Sequence, residues 1–365
     1  MKFSCDKTSL CDAVSNVSKA VAQKTTITAL EGIKIKLTEN ILELTGYDLE
    51  IGITTTVTVN SEDSGEFVVD AKLFNEFVRK MPGDVVFIEI NDSQMSISSD
   101  NTDCSLSVIS AEEYPDMPEF DKECTVEIRQ SILKTMISKT SFATSTNENK
   151  PILTGELFEF EDGVLNVVAI DGLRLAIKTE NIGCKENLKF VVPKKTLNEI
   201  VSIIKDESDK ACTLFTNKKH IIFDINGYKV ISRLLEGEFH NYRMSLNGEY
   251  KTEIILNVRD LLSSMERCSL IVNDKNRAPA VCNFKSGAVN VECKTALGKV
   301  KDSFGADISG DAVTIGVNSK FMLDALKAAE GDKVKIQLNG AMRAIKIIPL
   351  EGNDFTYLIM PVQLR

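Results

Sequence analysis

Few residues in this sequence have the types and spacing that enzymatic chemistry requires. The chain has two histidines, His220 and His240, and it contains no His-Glu-x-x-His zinc motif, glycine-rich phosphate loop or nucleophile turn. The neighbouring carboxylates Glu112 and Glu113 could be proposed as an acid–base pair, but adjacent side chains on an extended chain point apart, which favours a solvated loop. The sequence therefore disfavours an enzyme, and it predicts no catalytic residue, metal site or cofactor.

The composition indicates a globular protein with more than one core. The chain has 365 residues, of which 43% are hydrophobic, enough for two or three domains. No apolar run approaches the roughly 20 residues of a membrane span, and the N-terminus has no apolar signal region, so a cytoplasmic protein is predicted. Nine cysteines without a Cys-x-x-Cys pair disfavour a disulfide framework and a zinc site.

One segment recurs three times and predicts the elements around which the rest is built. Residues 69–81, 192–204 and 317–329 each place valine first, lysine fourth and an acid eighth, at spacings of 123 and 125 residues. Each copy has the apolar stripe of an amphipathic helix. The predicted inward residues are Phe74, Phe77, Val78, Leu197, Ile200, Val201, Met322, Ala325 and Leu326. Asp70 and Asn318 are predicted N-caps. Recurrence at these intervals predicts one domain built three times.

Each repeat shows the order helix, strands, helix, strands. The first helices of the three repeats are predicted at residues 7–22, 129–144 and 258–268. Long strands are predicted at residues 41–51, 164–177 and 357–364, and a linker at residues 114–118. This alternation predicts an α+β fold of antiparallel sheets with two helices on one face of each domain. The predicted domains are residues 1–122, 123–249 and 250–365.

The charge distribution distinguishes the helices from the rest of the chain. Six helix windows, at residues 7–24, 70–80, 129–144, 193–205, 258–267 and 318–330, hold 16 lysines and arginines against 8 aspartates and glutamates, although the whole chain has a net charge of −10. The total charge alone would disfavour nucleic acid as a partner. A basic face formed by the helices would instead hold a phosphate backbone without reading the bases. A preference of lysine for helices explains part of this difference in charge, so a scaffold that binds only proteins stays an alternative. A hydrolase with an unrecognised carboxylate site is a second alternative.

Several long blocks, in order from Met1 to the C-terminus, resemble the DNA polymerase III β subunit family of bacterial sliding clamps. These blocks are residues 150–155 (KPILTG), 168–176 (VAIDGLRLA), 232–239 (SRLLEGEF), 241–243 (NYR) and 358–362 (LIMPV). The resemblance implies a head-to-tail homodimer that closes into a ring, with double-stranded DNA passing through it. It also implies a clamp loader, the replicative polymerase subunit and other proteins with a clamp-binding motif as partners. Such a protein is a processivity factor and has no catalytic activity of its own.

The resemblance also implies three sets of site residues. Expected DNA contacts are Lys24, Asn147 and Lys150. The expected pocket for a partner peptide is formed by Leu153, Ile170, Gly172, Leu173, Arg174, Leu175, Asn318, Phe321, Met342, Ala344, Met360, Pro361 and Val362. The expected dimer interface comprises Lys72, Asp103, Cys104, Leu106, Leu270, Ile271, Lys299 and Lys301, on edge strands at residues 102–109 and 297–303.

This chain departs from the pattern of the family at some of these positions. Leu173 replaces a histidine, His240 replaces a proline, and Asn276 replaces an aromatic residue seen in some relatives, so the rim of the pocket is expected to differ. Lys299 and Lys301 stand where some relatives have acids. We therefore predict that Asp100 or Asp103 of the other subunit faces these two lysines.

Overall fold

The structure is a computed structural model that describes residues 1–118, 123–205, 209–273, 278–285 and 287–364. It contains seven α-helices within these ranges: α1 Lys7–Val17, α2 Ala71–Lys80, α3 Gln130–Thr140, α4 Lys194–Ile203, α5 Arg243–Leu246, α6 Val258–Leu270 and α7 Ser319–Ala328. The first half of the chain has strands β1 Lys2–Asp6, β2 Gly32–Thr38, β3 Ile41–Tyr47, β4 Ile51–Thr58, β5 Ser64–Asp70, β6 Val85–Asn91, β7 Gln94–Ser99, β8 Thr102–Ile109, β9 Cys124–Arg129, β10 Gly155–Glu161, β11 Gly163–Ile170, β12 Arg174–Cys184 and β13 Leu188–Pro193. The second half has β14 Ala211–Thr216, β15 His220–Ile225, β16 Tyr228–Arg233, β17 Thr252–Asn257, β18 Ala280–Lys285, β19 Ala288–Thr295, β20 Gly298–Gly305, β21 Asp307–Gly310, β22 Val313–Val317, β23 Lys333–Leu338, β24 Ile345–Ile348 and β25 Phe355–Ile359.

The recurring segment forms a helix in all three places, α2, α4 and α7. The Asp70 side chain accepts a hydrogen bond from the backbone N–H of Leu73 at 2.7 Å, and Asn318 accepts from Lys320 at 3.0 Å, so both predicted N-caps are confirmed. Seven of the nine predicted inward residues are buried. Phe77 and Val201 are only half-buried, because the buried stripes of α2 and α4 run through Phe74 with Val78 and through Leu197 with Ile200.

One compact unit comprises Met1–Ser131 and Lys195–Leu234. It contains an antiparallel sheet in the order β1-β6-β7-β8-β5-β2-β3-β4-β16-β15-β14-β9. The link between β8 and β5 is short, since only Val108 and Ile109 of β8 pair with β5. Leu10 and Val14 of α1 and Phe74 of α2 are fully buried in this unit.

The second compact unit comprises Ile132–Lys194 and Leu235–Arg365. It has an antiparallel sheet in the order β13-β10-β11-β12-β25-β24-β23-β17-β21 and a smaller one in the order β20-β19-β18-β22. Leu261 and Met265 of α6 and Met322 and Leu326 of α7 form a core with residues of both sheets. The two units do not coincide with the three predicted domains, because each large sheet continues from one repeat into the next. The predicted boundary after residue 122 falls next to residues 119–122, outside the described residues.

Some predicted element bounds are wrong for local reasons. The predicted helices at residues 7–22 and 129–144 end early, at Val17 and Thr140, and each continues as one 3-10 turn. The predicted strand at residues 41–51 is two strands, because the Asp48 carboxylate accepts hydrogen bonds from the N–H groups of Glu50 and Ile51 and turns the chain. The predicted linker is packed rather than free: Tyr114 is buried, and its hydroxyl donates to the Thr45 carbonyl at 3.2 Å.

Candidate functional site

A turn between β11 and β12 presents the central residues of the expected peptide pocket. The Asp171 carboxylate accepts hydrogen bonds from the N–H groups of Leu173 at 2.8 Å and Arg174 at 3.0 Å. The backbone N–H of Met360 then donates to the Leu173 carbonyl at 2.8 Å. Both backbone groups of Leu173 are therefore held, while 56% of the residue stays exposed. This turn also divides the predicted strand at residues 164–177 in two.

Arg174 forms the polar wall beside this turn. Its guanidinium pairs with Asp171 at 2.9 Å and with Asp324 of α7 at 2.5 Å, and its side chain is 12% exposed. The same group lies 4.3 Å above the centre of the Phe321 ring and 5.5 Å from that of Phe142. Since two carboxylates neutralise it, Arg174 orders the wall and leaves little free positive charge for a ligand.

A cavity of about 350 Å³ opens beside the turn. It is lined by Lys150, Leu153, Ile170, Gly172, Leu173, Arg174, Leu175, His240, Ser245, Ala344, Leu358 and Met360. The floor is apolar, with Leu175 and Leu358 almost completely buried in the cluster that also contains Leu157, Val168 and Phe239. An apolar floor with few polar groups at the rim suits an apolar side chain of a peptide.

Eight of the thirteen expected pocket residues lie around this cavity, and the other five do not line it. Asn318 caps α7, and Phe321 lies beneath Arg174. Met342 lines a neighbouring cavity of about 480 Å³ that shares Ser245, Ala344, Leu358 and Met360 with the first. The N–H of Val362 bonds to the Gly316 carbonyl at 2.8 Å, and Pro361 lies between it and Met360.

The end of the predicted strand at residues 357–364 is also corrected here. The strand stops at Ile359, after which the backbone bonds to Leu173 on one side and to Gly316 on the other. Gly316 allows this approach, because a Cβ there would lie 2.5 Å from the Val362 carbonyl oxygen.

Three lining residues were not assigned to the pocket from the sequence: Lys150, Ser245 and Leu358. His240, which was expected to change the rim, also lines the cavity. Leu358 stands directly opposite Leu175 across β12 and β25, a pairing that the sequence does not reveal.

The segment with His240 and Ser245 is anchored by Tyr242, whose hydroxyl donates to Glu159 at 2.5 Å. Burial, and then this carboxylate, raise the pKa of Tyr242 to about 12. Arg243 pairs with Glu159 at 2.9 Å and also with Glu161. Asn276 lies outside the described residues.

The three expected DNA-contacting residues are all exposed. Lys24 lies in the loop that precedes β2, in the first unit. Asn147 and Lys150 share a turn in the second unit: the Asn147 side chain accepts from the N–H of Asn149 at 3.0 Å, and its carbonyl accepts from that of Lys150 at 3.1 Å. Lys150 therefore belongs both to this turn and to the rim of the cavity.

The expected interface residues lie on two incompletely paired strands and the helices next to them. Within the described chain β20 pairs only with β19, and residues 102–107 of β8 pair only with β7. Cys104 is half-buried, Leu106 is 7% exposed, and Asp103 is exposed. Lys299 and Lys301 share Glu292 of β19, at 2.7 and 3.8 Å. Leu270 at the end of α6 is 81% exposed, its neighbour Ile271 is half-buried, and Lys72 of α2 is exposed.

In the described part of the chain, no group of three or more His, Cys, Asp or Glu side chains is arranged to hold a metal ion. None of its helices is long and apolar enough to cross a membrane.

Antiparallel sheets joined from repeat to repeat, with an amphipathic helix in every copy, define a protein of the α+β DNA clamp fold, as predicted. Models of the N-terminal, central and C-terminal domains of the DNA polymerase III beta subunit match residues 1–118, 127–241 and 246–363. The chain belongs to the DNA polymerase III beta subunit family, which confirms the predicted resemblance.

Individual relatives are similar over the whole length of the chain. The beta sliding clamp of Bacillus subtilis (strain 168) is 31% identical and that of Halalkalibacterium halodurans 32% identical, each with 100% of both chains covered. The crystal structure of a putative DNA polymerase III beta subunit from Eubacterium rectale is 33% identical, with a TM-score of 0.96 and 100% of both chains covered.

Proposed function

We propose that this protein is a DNA sliding clamp, a non-catalytic processivity factor that encircles duplex DNA in the cytoplasm and tethers the replicative polymerase. The observation that supports this most strongly is that three consecutive clamp modules match almost the whole chain. A closed ring acts through effective concentration: a polymerase that lets go of the DNA stays attached to the ring and rebinds locally. This activity needs no catalytic group of the protein, which agrees with a sequence that contains no recognised catalytic motif.

The proposed ring is a head-to-tail dimer. Two identical contacts related by a twofold axis close the assembly, so no filament grows. Each contact would join β8 of one copy to β20 of the other, with Leu270, Ile271 and Lys72 beside them. Joining these strands would satisfy two sheet edges that have no partner strand among the described residues of the single chain.

Topological retention on DNA separates this function from its alternatives. Protein loaded by a clamp loader onto nicked circular DNA should remain bound through gel filtration, and it should be released when a restriction enzyme cuts the circle. A scaffold that binds only proteins would be retained on neither form. Equal retention on circular and linear DNA would refute encirclement.

The DNA contacts are proposed to be weak and sequence-blind, which sliding requires. Lys24→Glu should flatten the salt dependence of binding, because each phosphate contact contributes about one unit to the slope of log K against log salt. Lys218→Glu, also at an exposed position in the first unit, is the matched control. Equal slopes for both variants would remove Lys24 from the DNA contact. Lys150 is less suitable for this test, since it also lines the cavity.

The cavity beside Leu173 is proposed to hold the apolar anchor of a partner peptide. Leu173→Asp should weaken binding of a fluorescein-labelled peptide with the clamp-binding segment of the polymerase by tenfold or more, because it sets a charge at an apolar wall. Leu173 is exposed and only its backbone is hydrogen-bonded, so the fold should tolerate the change. Leu350→Asp, at an exposed leucine outside the cavity, is the control. Unchanged anisotropy titrations for Leu173→Asp would place the peptide elsewhere.

A further inference from the structure

The turn between β11 and β12, which borders the cavity of the second unit, has a counterpart between β3 and β4 in the first unit. In both hairpins the last paired residues are five positions apart: Ile170 pairs with Leu175, and Tyr47 pairs with Gly52. The strand that follows each turn then pairs with a strand of the next repeat, β12 with β25 and β4 with β16. Gly52 therefore corresponds to Leu175, which lines the cavity.

The hydrogen bonds of the two turns agree with this correspondence. The Asp48 carboxylate accepts from the N–H groups of Glu50 at 2.9 Å and of the next residue at 2.8 Å, just as Asp171 holds the N–H groups of Leu173 and the residue after it. The Glu50 carbonyl accepts from the backbone N–H of Arg233 at 2.9 Å, as the Leu173 carbonyl accepts from the segment after β25. Glu50 therefore stands in the place of Leu173.

The apolar floor is duplicated as well. The buried cluster next to the β3–β4 turn contains Leu30, Tyr47 and Tyr114. The cluster beneath the cavity of the second unit contains Phe239, with Leu153 packed against it. Leu30 and Leu153 each lie on a 3-10 turn that ends directly before a strand, β2 or β10. The first unit thus contains the parts of a second cavity of the same kind. We call this the first-unit site and define it by Leu30, Tyr47, Glu50, Gly52 and Tyr114.

The side chain of Met117 fills the floor of the first-unit site. Gly52 has no side chain where Leu175 has one, and a Cβ built there would collide with the terminal methyl group of Met117 and lie 2.6 Å from its sulfur. Met117 is half-buried and packs against the cluster that contains Tyr114. The end of this flexible thioether therefore lies where an apolar side chain of a ligand would otherwise reach the sheet.

Glu50 places a charge at the rim of the same site. The residue is exposed, as Leu173 is in the second unit. An apolar peptide that covered this carboxylate would remove it from water without supplying a partner, which costs free energy. Leu173→Asp, which is expected to weaken peptide binding in the second unit, makes the same kind of change. The first-unit site thus differs from the cavity at its rim and at its floor, and both differences oppose an apolar ligand.

We propose that the first-unit site is a duplicate of the peptide cavity and that Met117 and Glu50 keep it closed to partner peptides. Met117 acts as an internal ligand that occupies the floor, and Glu50 rejects an apolar side chain at the rim. The proposal rests on the proposed docking of partner peptides beside Leu173. Its consequence is that each chain offers one peptide site instead of two, so partners on one chain compete for a single cavity.

Reopening the first-unit site tests the proposal with the fluorescein-labelled peptide that carries the clamp-binding segment of the polymerase. Leu173→Asp is the background, because its own cavity should bind the peptide poorly. Adding Glu50→Leu and Met117→Ala should strengthen binding tenfold or more over this background, since the rim becomes apolar and the floor opens. With Leu173 intact, the same two substitutions should raise the stoichiometry in calorimetry from one peptide per chain to two.

Matched variants separate this effect from a general increase in apolar surface. Glu43→Leu, at an exposed position of β3 outside the site, should not strengthen binding in the Leu173→Asp background. Circular dichroism verifies that each variant is folded. A folded triple variant that binds no better than Leu173→Asp alone would overturn the proposal. Absence of peptide binding to the unsubstituted protein would instead refute the proposed cavity beside Leu173.

A second test examines the contact between Met117 and Gly52 without any peptide. In Gly52→Ala the new Cβ takes the place of the Met117 methyl group, so the flexible side chain must move toward solvent. In dilute hydrogen peroxide, Met117 should then form its sulfoxide severalfold faster than in the unsubstituted protein, as measured by mass spectrometry. Met244, which is 72% exposed, and Met322, which is 1% exposed, are the reactive and protected references. Equal rates for Met117 in both proteins would show that it does not fill the site.

Discussion

The buried carboxyl group of Glu156 should make the stability of the protein depend on pH. Glu156 on β10 is 0% exposed; its Oε2 accepts a hydrogen bond from the Thr140 hydroxyl at 2.5 Å, and its Oε1 has no partner among the described residues. Burial raises the pKa of this group to about 8, against the opposing effects of Thr140 and of Lys194. The folded protein therefore keeps a proton here at neutral pH.

The sign and size of the effect follow from proton linkage. In the unfolded chain Glu156 has its ordinary pKa of 4.5, so between about pH 5 and pH 8 unfolding releases a proton. The free energy of unfolding should then fall by about 1.4 kcal/mol for each pH unit in that window. Below the window both states hold the proton, and above it the loss is complete. In Glu156→Gln this side chain has no proton to release, so its contribution to the free energy of unfolding should not change with pH.

Urea unfolding followed by circular dichroism between pH 5.5 and 8.5 measures this difference. The free energy of unfolding of Glu156→Gln relative to the unsubstituted protein should rise by about 3 kcal/mol across the range. Glu148→Gln, at an exposed position, should show no such trend. Parallel pH profiles for the unsubstituted protein and Glu156→Gln would refute the assignment of a neutral buried carboxyl group.

Three further substitutions test a buried ion cluster around Lys178, the proposed dimer interface and the wall of the cavity. Lys178→Met should lower the free energy of unfolding, measured in urea, by about 2 kcal/mol. The substitution removes a buried ammonium group that pairs with three carboxylates at 3.0, 3.4 and 3.7 Å. Because the three carboxylates are partly exposed, the loss of stability stays below that of a fully buried ion pair. Leu270→Ser should raise the dimer dissociation constant in sedimentation about 10- to 100-fold, since a buried leucine contributes about 1.5–3 kcal/mol, whereas Leu350→Ser should not. Arg174→Lys should weaken peptide binding in anisotropy titrations about tenfold, because an ammonium cannot hold both carboxylates and stack on an aromatic ring as a guanidinium does; unchanged affinity would mean that this wall does not order the cavity.

The helices could be predicted because their signals are local. The apolar spacing and the capping residues Asp70 and Asn318 lie within one segment, so three copies of one helix are visible in the sequence. The turns at Asp48 and Asp171 were missed although both have a signal, since aspartate often accepts hydrogen bonds from the next backbone N–H groups. The apolar residues on either side of each aspartate indicated one continuous strand instead of a turn.

Pairing between repeats could not be predicted from the residues, because a repeat shows that the units are alike but not which strands they share. The resemblance supplied Leu153, Ile170 and Leu175 for the cavity, all of which line it. It did not supply Leu358, whose position depends on the register of β25 against β12. Phe321 was expected in the pocket wall but supports Arg174 from beneath, a distinction that needs side-chain geometry.

The methionines beside the cavity have a consequence for cells under oxidative stress. Met360 and Met342 are 44% and 66% exposed, and Met360 lines both the cavity and the neighbouring one. A peroxide that converts their thioethers to sulfoxides would replace soft apolar surface by strongly polar groups. We expect partner docking to weaken after such damage and to recover when a sulfoxide reductase repairs it, while the buried Met322 and Met265 stay protected inside the fold.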